Sequence, residues 1–270
     1  MIPDWQLPTG VDRGLWDYLN AADMVAVYDE QMRASPLAAT DVAFCEKAFP
    51  IPGRLIDLGC GTGRLCIHFA EKNYECVGVD LSQEMLTKAL ENWERNRALT
   101  PQPPLPGGEG EWEPGGVGSA TPAFLKSNLT EMTELPTASF EYAACLFSTL
   151  GMVRGAENRA KVIANAFRLL KPGGQFVLHV HNRYFGGLGG KQVFAQAAKL
   201  LVGQSGDITM TQAYAGAPLT LHHFTKREAV RLLMACGFRV TEVLAVGIDG
   251  KAAWPWWRVY GWLIHAERLS

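Results

Sequence analysis

Residues 55–65 read LIDLGCGTGRL: an apolar run, one carboxylate (Asp57) and three glycines at alternate positions, Gly59, Gly61 and Gly63. Glycine lacks a Cβ and tolerates left-handed backbone, so such a ribbon lets main-chain atoms approach a bound molecule. A second carboxylate, Asp80, ends the apolar stretch ECVGVD, 17 residues after Gly63. Its two oxygens can accept from two neighbouring hydroxyls at once. The glycine spacing sorts the ligands. A dinucleotide fingerprint requires G-x-G-x-x-G, and here Arg64 stands where the third glycine would fall. A phosphate-binding loop requires Lys-Ser or Lys-Thr after its last glycine, and neither follows Gly63.

These residues need elements to carry them. RLIDLG (54–59), ECVGVDL (75–81), AFLKSNL (123–129), FEYAACLFS (140–148) and QFVLHVH (175–181) read as strands. GRLCIHFAEKN (63–73) has helical spacing, with Leu65, Phe69 and Ala70 on one side. Ser82 can cap the helix that follows it, and Glu84 complements that helix's dipole. The helix NRAKVIANAFRLLKPGG (158–174) stops at Lys-Pro-Gly-Gly. Thr225 and Glu228 make a capping box for a helix that closes at Gly237. FRVTEVLAV (238–246) and RVYGWLIHAERL (258–269) complete a set of seven strands, and the last two suit an antiparallel hairpin.

Alternating strands and helices predict an α/β fold with a mostly parallel sheet, helices on both faces and an antiparallel last strand. In such folds ligands bind at the C-terminal edge of the strands. Loops that follow strands therefore lie on the ligand side. The expected organisation is a helical N-terminal cap (1–50), a cofactor-binding core (51–181), a substrate-side insertion (182–224) and a C-terminal part of the core (225–270). The Pro- and Gly-dense stretch 100–122 follows a helix, so it reads as a flexible insertion away from the chemistry.

Composition narrows the partners. Apolar residues make up 48% of the chain, enough for a sizeable core. With 25 basic and 27 acidic residues, no basic excess favours nucleic acid. No apolar run approaches bilayer length, and no basic stretch followed by an apolar run marks a signal peptide. The six cysteines form no C-x-x-C pair and read as reduced thiols of a cytosolic protein.

The run D-x-G-x-G-x-G, from Asp57 to Gly63, resembles motif I of the class I S-adenosylmethionine-dependent methyltransferases. The resemblance extends through VGVDLSQEML, KSNLTEM and RLLKPGGQFVLHV to HHFTKREAVRLLMACGFRV. It implies a Rossmann-like fold with S-adenosyl-L-methionine as cofactor. In that reading Gly59, Cys60, Gly61 and Gly63 border the methionyl part and Asp57 accepts from its ammonium. Asp80 takes the ribose hydroxyls, and Leu81 and Met85 offer apolar contacts to adenine. Asn128 stands where many members of the family have Asp; its amide oxygen can accept from the adenine amino group, as the Leu129 N–H can pair with the ring. Leu146 and Phe147 should lie beside the cofactor. Tyr28, within AVYDEQM, would bond the methionyl carboxylate.

Methyl transfer from a sulfonium is a direct displacement, so the protein chiefly aligns the acceptor and excludes water. A base is required only where the acceptor must lose a proton. His181, at the end of the fifth strand, is the candidate base or substrate contact, while His179, one step deeper, reads as structural. Metal ligation by the two is not supported, because no matching carboxylates stand nearby in sequence. Trp16, Asn182, Tyr184, His222 and Trp256 fall in segments assigned to the ligand side and are the candidate substrate contacts. The reading is a methyltransferase acting on O or N of a small molecule. The alternatives are a non-catalytic binder on the same fold and a protein or RNA methyltransferase.

Overall fold

The computed structural model describes residues 2–21, 23–99, 121–188, 206–210 and 218–270. Nearly all of the insertion expected over 100–122, and much of the one over 182–224, lies outside the described residues.

The chain opens with three helices, α1 (Arg13–Leu19), α2 (Met24–Ala34) and α3 (Pro36–Ala48). Then come β1 (Arg54–Leu58), α4 (Arg64–Ala70), β2 (Glu75–Asp80), α5 (Gln83–Leu99), β3 (Ala123–Lys126) and β4 (Phe140–Cys145). A short helix α6 (Thr149–Met152) precedes α7 (Ala156–Leu169) and β5 (Leu170–His181). After β6 (Asp207–Met210) and β7 (Leu219–His222), the chain ends with α8 (Lys226–Ala235), β8 (Phe238–Val246) and β9 (Gly261–Arg268).

Seven strands form one sheet in the order β3-β2-β1-β4-β5-β9-β8. The pairs from β3 to β5 are parallel, and β9 runs antiparallel to both β5 and β8. This is the Rossmann-like sheet with an antiparallel last strand expected from the sequence. The chain runs outward from β1 to β2 and β3, then returns to β4 on the other side of β1. That reversal leaves a crevice beyond the C-terminal ends of β1 and β4, where open α/β sheets bind ligands.

Strand alternation gives each face its own core. Leu55, Ala144 and Val177 pack with α3 and α4 through Phe44, Leu65 and Phe69. Ile56, Phe176 and Leu178 pack on the other face with α7 and α8 through Ile163 and Leu233. The predicted capping box is present: the Thr225 side chain accepts from Glu228 N, and the Glu228 side chain accepts from Thr225 N.

The first fifty residues divide. Helix α3 lies in the sheet's own helical layer. Helices α1 and α2 join a third apolar cluster with Met85 of α5 and with Leu219 and Leu221 of β7. β6 and β7 make a separate two-stranded antiparallel ribbon within 182–224, which the sequence reading did not anticipate. Helix α1 abuts this ribbon so closely that a Cβ on Gly14 would sit 2.3 Å from the Pro218 carbonyl oxygen. Among the described residues no helix is long and apolar enough to cross a membrane, and no group of three or more His, Cys, Asp or Glu side chains could hold a metal.

Candidate cofactor and active site

The turn between β1 and α4 holds Gly59, Gly61 and Gly63 at φ of 82°, 53° and 81°, in the left-handed region. Gly59 and Cys60 donate their N–H groups to Val79 O at 2.7 and 3.0 Å, which pins the turn to the end of β2. The glycines then differ in task. Gly59 and Gly61 face the crevice, whereas a Cβ on Gly63 would meet Ala89 at 2.8 Å and Phe124 at 3.0 Å. Gly63 therefore serves the close packing of the turn against α5 and β3. A Cβ on Gly59 would come within 2.2 Å of Thr149 Cγ2. Steric crowding adds to the backbone cost there, so Gly59→Ala is expected to destabilise the free protein by about 2–4 kcal/mol in a denaturant titration.

Asp80 completes the turn. Its Oδ2 accepts from Gly61 N and its Oδ1 from Ser82 N, both at 2.9 Å. Burial pushes this carboxyl up, opposed by the N–H groups of Ser82, Gly61 and Leu81. Each oxygen keeps a lone pair for a further donor. Asp57, one strand over at the end of β1, is 4% exposed. Burial raises it to about 7; the Arg64 guanidinium opposes the rise, and Asp80 and Asp41 add to it.

Two cavities meet at Gly59 and Tyr28. The first, about 720 Å³ counting its mouth, is floored by Gly61, Asp80, Leu81, Met85, Asn128 and Leu129. The second, about 360 Å³ on the same basis, is lined by Asp57, Cys60, Arg64, Leu146 and Phe147. Tyr28 stands between them, its ring over Gly61, where a Cβ would lie 3.2 Å from Cε1. Burial pushes the Tyr28 phenol up, with Arg64 opposing. Arg64 is itself held by the Ala38 carbonyl at 2.5 Å and lies 3.6 Å from Asp41. Phe147 and Ser148 follow β4 with φ of 50° and 60°, two successive non-glycine residues in the left-handed region. Ser148 N donates to His179 O at 3.0 Å, and Ser148 Oγ accepts from His181 N at 3.3 Å. These bonds hold the strained turn and leave Phe147 on the second cavity.

The expected cofactor residues therefore converge, with Gly63 behind them as packing. The expected catalytic and substrate residues do not. His181 is 5% exposed and lines neither cavity. Its ring packs 4.6 Å from Tyr260, 5.4 Å from His223 and 5.9 Å from Phe147. Burial, and then His223 and His179, pull it well below the usual histidine range, so it is a neutral ring inside the wall. His179 lies 2.8 Å from Asp41, both fully buried. Asn182 donates to Val259 O at 2.8 Å and to Trp256 O at 3.2 Å, which ties the β8–β9 loop to the end of β5. Tyr184 and Trp256 pack edge to face beside that loop. His222 sits between Asp207 (2.6 Å) and Glu228 (2.7 Å). Each ring nitrogen lies within hydrogen-bond distance of a carboxylate, and the histidine bridges β6 and α8.

Trp16 lines neither cavity. The roof is instead made by Leu15, Tyr18 and Leu19 of α1 together with Thr9, Gly10 and Val11. The 15/18/19 spacing marks one helical face and was the available signal. Thr149, Met152 and Val153 form a further wall that the sequence reading missed.

The paired cavities suit S-adenosylmethionine. An apolar chamber edged by a carboxylate fits an adenosine, and a polar chamber holding one carboxylate and one guanidinium fits an amino-acid zwitterion. The comparisons agree. The family described as "Methyltransferase domain" matches residues 28–243. YqeM of Bacillus subtilis, named as a methyltransferase, is 29% identical over 159 residues, which is 59% of this chain and only 54% of its own length. A solved S-adenosylmethionine-dependent methyltransferase from Methanosarcina mazei superposes with a TM-score of 0.63 at 21% identity, covering 84% of this chain and 97% of its own. The 1,6-didemethyltoxoflavin N1-methyltransferase of Burkholderia thailandensis, solved with its substrate and S-adenosylhomocysteine, superposes at 0.56 with 15% identity, covering 93% and 89%. Fold order, carboxylate placement and a match over most of the sequence agree: the chain belongs to the class I S-adenosylmethionine-dependent methyltransferases.

Proposed function

We propose that this chain binds S-adenosylmethionine across the two cavities and transfers its methyl group to an oxygen or nitrogen of a small-molecule acceptor. The observation that carries the reading is the placement of Asp57 and Asp80. They end adjacent parallel strands, one on each cavity, with side-chain-free backbone at Gly59 and Gly61 between them. Asp80 suits the ribose hydroxyls and Asp57 the ammonium. Arg64, together with the N-terminus of α4, suits the carboxylate. Leu81, Met85 and Leu129 suit the adenine.

When bound, the cofactor supplies a methyl group already activated on a sulfonium. The chain's own work is then to orient the acceptor and exclude water. Among the described residues lining the two cavities there is no histidine, lysine or glutamate. Acceptors that present a free lone pair, or that arrive ionised, fit that lining best. The apolar roof of Val11, Leu15 and Leu19 keeps water from the first cavity.

Incubation with methyl-labelled S-adenosylmethionine and a panel of phenols, amines and carboxylic acids tests the reading. Label on a small acceptor, with one S-adenosylhomocysteine formed per product, is expected. Label only on added protein or RNA would overturn the acceptor class. Tight cofactor binding with no transfer to any acceptor would favour a non-catalytic binder.

A further inference from the structure

Asn128 sits in the turn after β3, on the wall of the first cavity. Read from sequence alone, its amide oxygen is free to accept from the adenine amino group. In the fold that oxygen accepts from Thr130 N at 3.2 Å, which leaves it one lone pair, and the amide nitrogen donates to Thr9 O at 3.0 Å. The orientation of the amide is fixed by these partners. A flipped side chain would set oxygen against the Thr9 carbonyl oxygen and nitrogen against the Thr130 N–H.

The carbonyl that Asn128 holds begins the roof. Thr130 Oγ1 donates to the same Thr9 O at 3.3 Å. Arg154 N donates to Gly10 O at 2.8 Å, and the Arg154 guanidinium pairs with Asp12. Asp12 in turn caps α1 by accepting from Leu15 N at 2.8 Å. The segment Thr9–Leu19 is thus a strap that crosses the cavity and is fastened at its leading end, with Leu15, Tyr18 and Leu19 facing down.

We infer that Asn128 is a positioning residue that clasps this strap over the adenosine chamber, and that it supports cofactor binding through the strap rather than through the adenine amino group. The inference rests on the assignment of the first cavity to the cofactor. It accounts for the residue type. Aspartate has no proton to donate at neutral pH, so in place of Asn128 it would face the Thr9 carbonyl oxygen unpaired. The clasp thereby controls how fast the cofactor enters and leaves.

Two homologous ligands separate the roles: S-adenosylhomocysteine and S-inosylhomocysteine, in which a carbonyl oxygen replaces the amino group. A clasp predicts that Asn128→Ala weakens both by a similar factor, about tenfold, chiefly through faster dissociation. It also predicts that Asn128→Asp weakens both at least as much, and that Thr130→Val, which removes only the second donor to Thr9, does so more mildly. Hydrogen exchange of residues 9–19 in the free protein should speed up in all three variants. The inference is overturned if Asn128→Ala weakens S-adenosylhomocysteine alone. It is equally overturned if Asn128→Asp binds as tightly as wild type with exchange of the strap unchanged. If wild type binds neither ligand, the cofactor assignment falls, and the exchange of residues 9–19 still decides the clasp.

Discussion

Replacing Asp80 by alanine is expected to weaken S-adenosylhomocysteine binding by about 100-fold or more. Two losses add. The ligand loses the acceptor for its ribose hydroxyls, a charge-assisted contact worth about 1.5–3 kcal/mol. The protein loses the acceptor for Gly61 N and Ser82 N, so the glycine turn is no longer tied to β2 through its third residue. Asp80→Asn separates these effects. Its amide oxygen can still accept from one N–H, so the turn is partly kept while the ribose contact weakens. Calorimetric titration of the three proteins should rank them wild type, Asn, Ala. Affinity within twofold of wild type for the alanine variant would contradict the assignment of this carboxylate.

Asp57→Asn is expected to stabilise the free protein and to cripple cofactor binding. The carboxyl is raised to about 7, chiefly by burial. An unfolded chain binds that proton with a pKa of about 3.9, so the fold takes up a proton on forming between these values. The sign follows. Stability from this group is fully present below about pH 4 and is lost as the pH rises toward 7. Above pH 7 the folded protein carries the full cost of a buried carboxylate, about 2–4 kcal/mol. The neutral amide carries none of it. At pH 8 the Asn variant should therefore melt higher by roughly 5 °C, and the difference should shrink as the pH is lowered toward 5. Cofactor binding runs the other way. An ammonium favours the ionised carboxylate, so wild-type affinity for S-adenosylhomocysteine should fall by up to about tenfold per pH unit below 7. The Asn variant should bind weakly at every pH and lose most of that slope. Equal melting temperatures at pH 8, or pH-independent wild-type binding, would rule out a protonated Asp57 in the free protein.

The parts of the site that the sequence disclosed are those that local chemistry writes into residue type. Three alternating glycines, an acid at each of two strand ends and the Thr225–Glu228 box each stand out by residue type and spacing; the glycines take left-handed backbone and the box closes within its own turn, while Gly63 turns out to serve packing. The parts it concealed depend on partners remote in sequence. Asn128 was noticed as a departure from Asp, but its partner at Thr9 lies 119 residues away and is a carbonyl, which leaves no mark on composition. His181 ends a strand on the ligand edge, yet Tyr260 and His223, brought in by β9 and the ribbon, seal it off. Trp16 is expected among the substrate contacts because its segment falls on the ligand side. The helix phase instead turns Leu15, Tyr18 and Leu19 inward.

The central claim is that the end of β2 and the glycine turn hold an adenosyl group. A crystal structure of the S-adenosylhomocysteine complex tests it most directly. The account predicts the adenine between Met85 and Leu129 beneath the Thr9–Leu19 strap, both ribose hydroxyls on the Asp80 carboxylate, and the amino group on Asp57. A ligand bound in this crevice with its ribose clear of Asp80, or bound elsewhere on the chain, would contradict it.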